Sequence, residues 1–216
     1  MLPASRAEGG SFGRCSTLPF VLRVLFVCTG NICRSPLAEA FLADRARHLP
    51  EGLLEVRSAG TWGREGHPAM PETISVGVEH GLDVGPHAAS PLTIDAIRSH
   101  DLLVGMTREH VSEIEGMAPG SASRAFTLKE LAHLLGSIEE PPPSADEETA
   151  RARIAAADEL RRSGGAPRDA DVADPIGLGT DVYRAIADEI GRAVDEVVRG
   201  LFGLRVAAGA GDEGRR

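Results

Sequence analysis

Apolar positions along the chain follow two alternating patterns, one typical of buried strands and the other of amphipathic helices. Residues 21–27 are almost all aliphatic or aromatic, which is typical of a strand buried on both faces of a parallel sheet. The sequence also predicts a second apolar strand at 102–106 and short strands at 54–58 and 124–127. Helical spacing predicts one helix that begins near residue 35. It predicts six more at 71–80, 93–99, 108–115, 128–135, 147–162 and 180–201.

Strands that alternate with helices predict an α/β fold. We expect three layers, with a four-stranded, mainly parallel, twisted sheet and helices on both faces. The 216 residues suffice for one domain, which we place at 20–203. We expect 1–19 to be a disordered extension and 204–216 a disordered tail. The segment 137–170 contains three consecutive prolines and an acidic run, and we expect it to be a mobile insertion.

Composition narrows the possible partners and the compartment. The formal net charge of −9 argues against nucleic acid or an anionic membrane surface as the main partner. No apolar run approaches the roughly 20 residues that a membrane span requires. The three cysteines all lie within the first 33 residues, which does not fit a disulfide framework. We therefore expect a reducing, cytoplasmic compartment.

The first predicted strand runs into the sequence Cys-Thr-Gly-Asn-Ile-Cys-Arg-Ser-Pro at 28–36. Ser35 and Pro36 predict a helix start, with serine as the N-cap and proline at the first helical position, and Gly30 would permit a tight turn. Amide groups of such a loop and of the first helical turn form a cradle for an anion.

Two side chains of this sequence suit phosphoryl transfer. Arg34 can hold two phosphate oxygens with its planar guanidinium, and the positive potential of the loop stabilises the thiolate form of Cys28 as a nucleophile. The loop is not of the Walker type, because no Gly-Lys-Ser/Thr follows. The alternative, that the cysteines are small buried residues and Arg34 a surface charge, is weaker because seven positions of the pattern are fixed at once.

These nine residues resemble the signature loop of the low-molecular-weight protein tyrosine phosphatases. The resemblance covers 20–136 and 174–201, and it includes motifs at 58–61 and 101–106. It implies hydrolysis in two steps through a cysteinyl-phosphate, without metal or organic cofactor. In this scheme Cys28 attacks phosphorus, Arg34 holds the oxygens, Ser35 hydrogen-bonds the thiolate, and Asp174 acts as general acid and then general base.

The resemblance also implies a set of binding and supporting residues. Asn31 matches a loop asparagine held in a left-handed conformation, with Ser58 and His87 as its supports, although a lone histidine after proline is usually a surface residue. Cys33 matches a cysteine that forms a reversible disulfide with the nucleophile, or it is a passive small residue. Substrate contacts are expected from Thr29, Gly30, Asn31, Ile32, Cys33 and Trp62.

Two departures and several relatives leave alternatives open. Ile176 and Gly177 stand where the family usually has aromatic walls for the phenyl ring, and Trp62 is shifted, so that it could instead be a core residue. Ile32 favours phosphotyrosine over phosphoarginine, because arginine phosphatases typically carry threonine there. Thiol-coupled arsenate reductases share the loop but need further cysteines, and no cysteine follows Cys33. An external thiol would have to substitute.

The sequence thus predicts a phosphatase for protein phosphotyrosine, with a tyrosine kinase as its possible counterpart. The alternatives are a phosphatase for another phosphomonoester, a thiol-coupled arsenate reductase, and a phosphate-binding module without turnover.

Overall fold

The structure is a computed structural model that describes residues 21–141, 143 and 146–204. Its described strands form a single sheet in the order β2-β1-β3-β4, in which every pairing is parallel. The predicted four-stranded α/β sheet is confirmed. The strands are β1 (Leu22–Cys28), β2 (Leu54–Gly60), β3 (Leu102–Gly105) and β4 (Ala125–Thr127).

Seven α-helices are present in the described residues, and they agree with the predicted spans to within a few positions. Short turns of 3₁₀ and π helix occur at Ala122–Arg124 and Arg161–Gly165. The α-helices are α1 (Arg34–Ala46), α2 (Pro71–Glu79), α3 (Ile94–Ser99), α4 (Arg108–Met117), α5 (Leu128–Gly136), α6 (Glu147–Leu160) and α7 (Thr180–Phe202).

Side chains of β1 alternate between two apolar clusters, one on each face of the sheet. Val24 and Phe26 face the larger cluster, to which α1, α5, α6 and α7 contribute. Leu25 and Val27 face the smaller cluster, which α3 and α4 cover. Both faces of the strand are thus buried, and this explains why its sequence is almost continuously apolar. The result is the expected three-layer arrangement.

The segment expected to be a mobile insertion, 137–170, contributes a packed helix to the domain. In α6, Ala150, Ile154 and Ala157 are buried in the larger cluster. Arg153 Nε donates to the carbonyl oxygen of Gly200 at 2.8 Å, which ties α6 to α7. The described core of the segment is therefore part of the fold, because its small apolar residues recur at helical spacing. Mobility elsewhere in the segment stays a prediction.

The predictions for the chain ends have no counterpart in the structure. The expected extension at 1–19, and the expected tail apart from Leu204, lie outside the described residues. Within the part of the chain that is described, no helix has the length and apolar character needed to cross a membrane.

The strand order places a crevice at the carboxyl end of β1. The chain leaves β1 toward β2 on one side, and β3 lies on the other, so the direction of winding reverses at β1. Open α/β sheets bind ligands at such a switch point. Cys28, the last residue of β1, lies at this point opposite Gly60 of β2.

Candidate active site

The loop from Cys28 to Cys33 curls around the sulfur of Cys28. The backbone N–H of Asn31 donates to Cys28 Sγ at 3.3 Å, and Ser35 Oγ lies 3.0 Å from the same sulfur. Ser35 Oγ also accepts a hydrogen bond from Asn31 Nδ2 at 2.9 Å. Its own proton therefore remains available for the sulfur, which is the arrangement that stabilises a thiolate.

The prediction that Ser35 is the N-cap is wrong. Helix α1 begins at Arg34, its N-cap is Cys33, and no side chain caps it. Ser35 lies inside the first turn because its hydroxyl is engaged by Cys28 and Asn31. The Ser35 hydroxyl thus hydrogen-bonds within the Cys28 loop and does not cap the first amides of α1.

Asn31 takes the strained conformation of the loop. Its φ of 54° is the one positive value at a non-glycine position in the described chain. The tight turn was expected at Gly30, but the φ angle of Gly30 is not positive. The side-chain amide of Asn31 is fully engaged, since Nδ2 also donates to Ser58 Oγ at 2.8 Å and Oδ1 accepts from the Ser90 N–H at 2.8 Å. These bonds offset the cost of the left-handed backbone.

His87 and Glu39 complete this supporting network. His87 Nε2 donates to the carbonyl oxygen of Asn31 at 2.7 Å, and its side chain is 11% exposed, so it is not a surface residue. Ser58 Oγ donates to Glu39 Oε2 at 2.5 Å. The sequence suggested Ser58 and His87 but gave no signal for Glu39 or Ser90, whose contacts exist only in the folded chain.

Arg34 joins the loop to the distant acid. Its buried guanidinium donates from Nη2 to Asp174 Oδ2 at 2.7 Å and from Nη1 to the Val172 carbonyl at 3.1 Å. Nη2 also lies 3.4 Å from Thr29 Oγ1. Nε is buried and has no hydrogen-bond partner within the described structure. The guanidinium is therefore fixed in place while one of its donors is unused, as a phosphate site requires.

The segment that carries Asp174 is hydrogen-bonded to the carboxyl end of β3 and to Lys129. Val172 N donates to the Met106 carbonyl, just beyond β3, at 2.8 Å. The only lysine of the chain, Lys129, contacts Asp169 Oδ2 at 2.8 Å and the Asp171 carbonyl at 3.2 Å. Asp174 itself is 42% exposed, so its carboxylate can reach a substrate from solvent.

Three apolar side chains are exposed around this crevice. Trp62 is 77% exposed, which shows that it is not a core residue, and its backbone N–H donates to the Thr29 carbonyl at 2.8 Å. Ile176 and Leu178, in the segment that follows Asp174, are about half exposed. Ile176 N donates to Asp174 Oδ1 at 3.1 Å, so Trp62 and Ile176 belong to segments that are tied to the loop and to the acid.

Cys33 and Ile32 lie on the inner side of the loop. Both Cys28 and Cys33 are free thiols, and Cys33 Sγ lies 3.8 Å from Tyr183 Oη. Burial raises the pKa of the Cys33 thiol, so this cysteine is neutral at physiological pH. Ile32 packs against the larger cluster. Within the described residues, no group of three or more His, Cys, Asp or Glu side chains could hold a metal ion.

His110 is a site residue that the sequence did not reveal. It is buried in the first turn of α4, and its Nε2 lies 3.0 Å from Thr29 Oγ1. Burial, followed by the nearby charge of Arg34, lowers the pKa of His110 from 6.5 to about 4. The available signal was Thr107, three residues earlier, because the spacing matches a capping box in which histidine replaces the usual glutamate.

The lowered pKa of His110 predicts a loss of stability in mild acid. The unfolded chain binds a proton at His110 near pH 6.5, whereas the folded protein does so only near pH 4. Unfolding is therefore favoured as pH falls through this window, by about 3 kcal/mol when it is complete. Urea unfolding at pH 7, 5.5 and 4.5 should show a steeper loss in wild type than in His110→Gln. Parallel curves for the two proteins would contradict the assignment.

Gly60 leaves room for the loop, and its replacement is expected to displace it. A Cβ at this position would lie 2.7 Å from the Thr29 carbonyl oxygen and 2.9 Å from Asn31 N, both of them backbone atoms. Gly60→Ala should lower kcat/KM for para-nitrophenyl phosphate by roughly 100-fold, because small displacements of catalytic groups cost this much. Gly116→Ala is the matched control, since a Cβ there meets nothing within 4 Å. Equal activity of the two variants would refute this steric argument.

The sequence matches a known family over most of its length. The family model described as low molecular weight phosphotyrosine protein phosphatase matches residues 23–162. These residues include β1, the Cys28 loop and α6. The chain therefore belongs to this family, which agrees with the resemblance drawn from its loop.

Individual relatives differ in what they are reported to act on. The low molecular weight protein-tyrosine-phosphatase Etp of Escherichia coli K12 is 41% identical over 96 residues, which are 44% of this chain and 62% of Etp. The protein-arginine-phosphatase of Bacillus subtilis strain 168 is 30% identical over 179 residues, or 82% of this chain and 95% of that enzyme.

The fold is also found in a solved structure of the family. The low molecular weight protein tyrosine phosphatase of T. tengcongensis superposes with a TM-score of 0.62 at 29% identity, covering 82% of this chain and 97% of that one. The α/β architecture described above is thus that of its relatives.

Proposed function

We propose that the protein hydrolyses phosphotyrosine in proteins through a cysteinyl-phosphate on Cys28. The observation that carries the proposal is the convergence at Arg34, whose guanidinium lies next to the Cys28 loop and contacts Asp174 at 2.7 Å. A nucleophile, an anion-binding group and a proton donor thereby meet at one end of the sheet. The partner is a phosphotyrosine protein, and a cognate tyrosine kinase would supply it. We place the protein in the cytoplasm.

In the first step the thiolate of Cys28 attacks phosphorus, and the bond between phosphorus and the ester oxygen breaks. Arg34 and the amides of residues 29–34 bind the three equatorial oxygens, where charge is concentrated in the transition state. Asp174 donates its proton to the departing tyrosine oxygen, so that the phenol leaves neutral. The proton on Ser35 Oγ holds the sulfur in its ionised form before the attack.

In the second step water attacks the phosphorus of the cysteinyl-phosphate. Asp174, now a carboxylate, accepts a proton from the water, and the bond between sulfur and phosphorus breaks. The electron pair of that bond returns to Cys28 Sγ, where Ser35 Oγ stabilises it by a hydrogen bond. Phosphate leaves, and Asp174 keeps the proton for the next cycle. All of these groups belong to the chain itself, and the scheme uses no metal or organic cofactor.

Phosphotyrosine suits the apolar rim of the site. Trp62, Ile176 and Leu178 are exposed and offer apolar contact to an aromatic ring, although Ile176 replaces an aromatic wall usual in the family. Ile32 contributes a methylene surface rather than a hydroxyl to the loop. A reductase of arsenate is disfavoured because no cysteine follows Cys33 to relay a disulfide.

Phosphoarginine is the second candidate substrate. The full-length likeness to the protein-arginine-phosphatase of Bacillus subtilis, over 95% of that enzyme, favours it. The residue that argues against it is Ile32, because arginine phosphatases typically carry threonine at this position. Phosphoarginine differs from phosphotyrosine in charge and shape beyond the phosphate, so the rim around the loop decides between the two.

The decisive experiment compares one peptide phosphorylated on tyrosine, arginine or serine. We expect kcat/KM for the phosphotyrosine form to exceed the others by at least about 10-fold, which is within what a differently shaped pocket provides. Ile32→Thr is the matched variant and should move the preference toward phosphoarginine. A wild type that prefers phosphoarginine would overturn the phosphotyrosine assignment, and one that hydrolyses none of the three would overturn the phosphatase itself.

A further inference from the structure

His110 connects the start of α4 with the phosphate loop. It occupies the third position of α4, where its Nδ1 lies 3.1 Å from the backbone nitrogen of Thr107. That residue is the N-cap of the helix, and its hydroxyl accepts from the His110 N–H at 3.4 Å. The opposite side of the same imidazole ring faces Thr29, the second residue of the loop, at 3.0 Å.

The helix cap fixes the tautomer of this histidine. A backbone N–H can only donate, so Nδ1 accepts from Thr107 N at 3.1 Å and carries no proton. The Thr107 hydroxyl, whose oxygen lies 2.8 Å from the same nitrogen, then donates its proton to Nδ1 as well. The proton of the neutral ring is therefore on Nε2, and Nε2 donates to Thr29 Oγ1. Glutamate, the usual residue at this position of a capping box, would accept from the N-cap but could not donate to Thr29.

The hydroxyl oxygen of Thr29 therefore accepts hydrogen bonds from two neighbouring groups. Its oxygen faces Nε2 of His110 at 3.0 Å and Nη2 of Arg34 at 3.4 Å, and both groups donate. A hydroxyl has two lone pairs and one proton. With both lone pairs facing donors, the proton of Thr29 must be directed to an acceptor elsewhere. Thr29 is exposed at the carboxyl end of β1, so an acceptor bound in front of the loop can receive this proton.

We infer that His110 is a positioning residue that makes the Thr29 hydroxyl a hydrogen-bond donor to a phosphoryl oxygen of the bound substrate. The contact lies on the side of the site where Arg34 Nη2 meets Asp174. The inference rests on the proposed phosphatase function and adds a donor that depends on α4. Burial, followed by the charge of Arg34, lowers the pKa of His110, and Asp174 and Asp171 only partly oppose this, so the ring stays neutral and keeps its orientation at physiological pH.

The test is a double-mutant cycle on Thr29→Val and His110→Leu. Each single variant should lower kcat/KM for para-nitrophenyl phosphate by about 10²-fold, the usual cost of one transition-state donor. The double variant should be no worse than either alone, because the two residues act through one hydroxyl. Effects that multiply in the double variant would overturn the inference.

Two further variants separate this role from helix capping. His110→Gln offers an oxygen to Thr107 and an amide proton to Thr29, and it should keep activity within a few fold of wild type. Glu130→Ala removes the equivalent capping side chain of α5, which bonds the Thr127 backbone, and should leave activity unchanged. Loss of activity in Glu130→Ala equal to that in His110→Leu would identify capping alone as the cause.

Two measurements do not depend on turnover. The ¹⁵N shifts of the His110 ring should show Nε2 protonated and Nδ1 unprotonated at pH 7, and the opposite tautomer would overturn the inference. Calorimetric titration of the same four proteins with inorganic phosphate measures Kd. The effects of Thr29→Val and His110→Leu on Kd should be non-additive, as they are on kcat/KM. A wild type that binds phosphate with this coupling but hydrolyses no ester would refute the proposed function while supporting the role of His110.

Discussion

Cys28→Ser is expected to reduce phosphatase activity by at least about 10⁴-fold, because it removes the sulfur that attacks phosphorus in the proposed mechanism. Serine keeps the size of the side chain and can preserve the contacts with Ser35 Oγ and the Asn31 N–H. A hydroxyl, however, does not ionise near neutral pH, and no general base lies within the described contacts of this position. Hydrolysis of para-nitrophenyl phosphate under single-turnover and steady-state conditions measures the loss.

The control for this variant is the integrity of the anion site. Cys28→Ser should still bind inorganic phosphate, because Arg34 and the loop amides are unchanged, and its thermal unfolding should remain cooperative. A folded, phosphate-binding variant that retained even about 1% of wild-type kcat would show that Cys28 is not the nucleophile. Loss of both binding and folding would call for Cys28→Ala, which leaves the loop backbone with a smaller side chain.

Asp174→Asn is expected to lower kcat by roughly 10²- to 10⁴-fold, the contribution of a positioned general acid. The loss should be larger for phenyl phosphate than for para-nitrophenyl phosphate, because a poor leaving group depends more on protonation. Phosphate affinity should move in the opposite direction. The carboxylate now occupies Arg34 Nη2 at 2.7 Å, and its removal frees this donor for the ligand.

Asp169→Asn is the matched control for Asp174. It makes the same charge change five residues earlier, at a carboxylate that contacts Lys129 and not Arg34. It should retain activity and show no gain in phosphate affinity. An Asp174→Asn variant with equal losses for both leaving groups would assign the acid role to another residue.

Elements with strong local signals were predictable from the sequence. Strands β1, β3 and β4 are buried almost throughout, which explains their apolar sequences, and α7 repeats its apolar residues over 23 positions. The Cys28 loop was predictable because its residue types are consecutive. Asp174 was not visible from spacing at all. It came from the family resemblance, and only the structure shows its contact with Arg34.

Contacts between segments that are distant in the chain could not be predicted from the sequence. Seven histidines are present. The capping-box spacing from Thr107 marks His110 only as a helix-start residue, and its contact with Thr29 exists only because β3 and β1 are neighbours. Ser35 was misplaced as an N-cap because the Ser-Pro signal is the same whether the hydroxyl bonds helix amides or a sulfur. The packing of α6 was hidden because two of its three buried apolar residues are alanine, which carries little apolar signal beside prolines and acids.

The separation of Arg34 from Asp174 by 140 positions has a consequence for biosynthesis. The nucleophile loop and β1 leave the ribosome early, but the acid follows only with the last quarter of the chain, and α7 must then dock on α1 and α5. A nascent chain therefore carries the thiolate loop without its proton donor. For the proposed phosphatase, full activity then requires that α7 has docked, so the order of synthesis delays turnover relative to formation of the anion site.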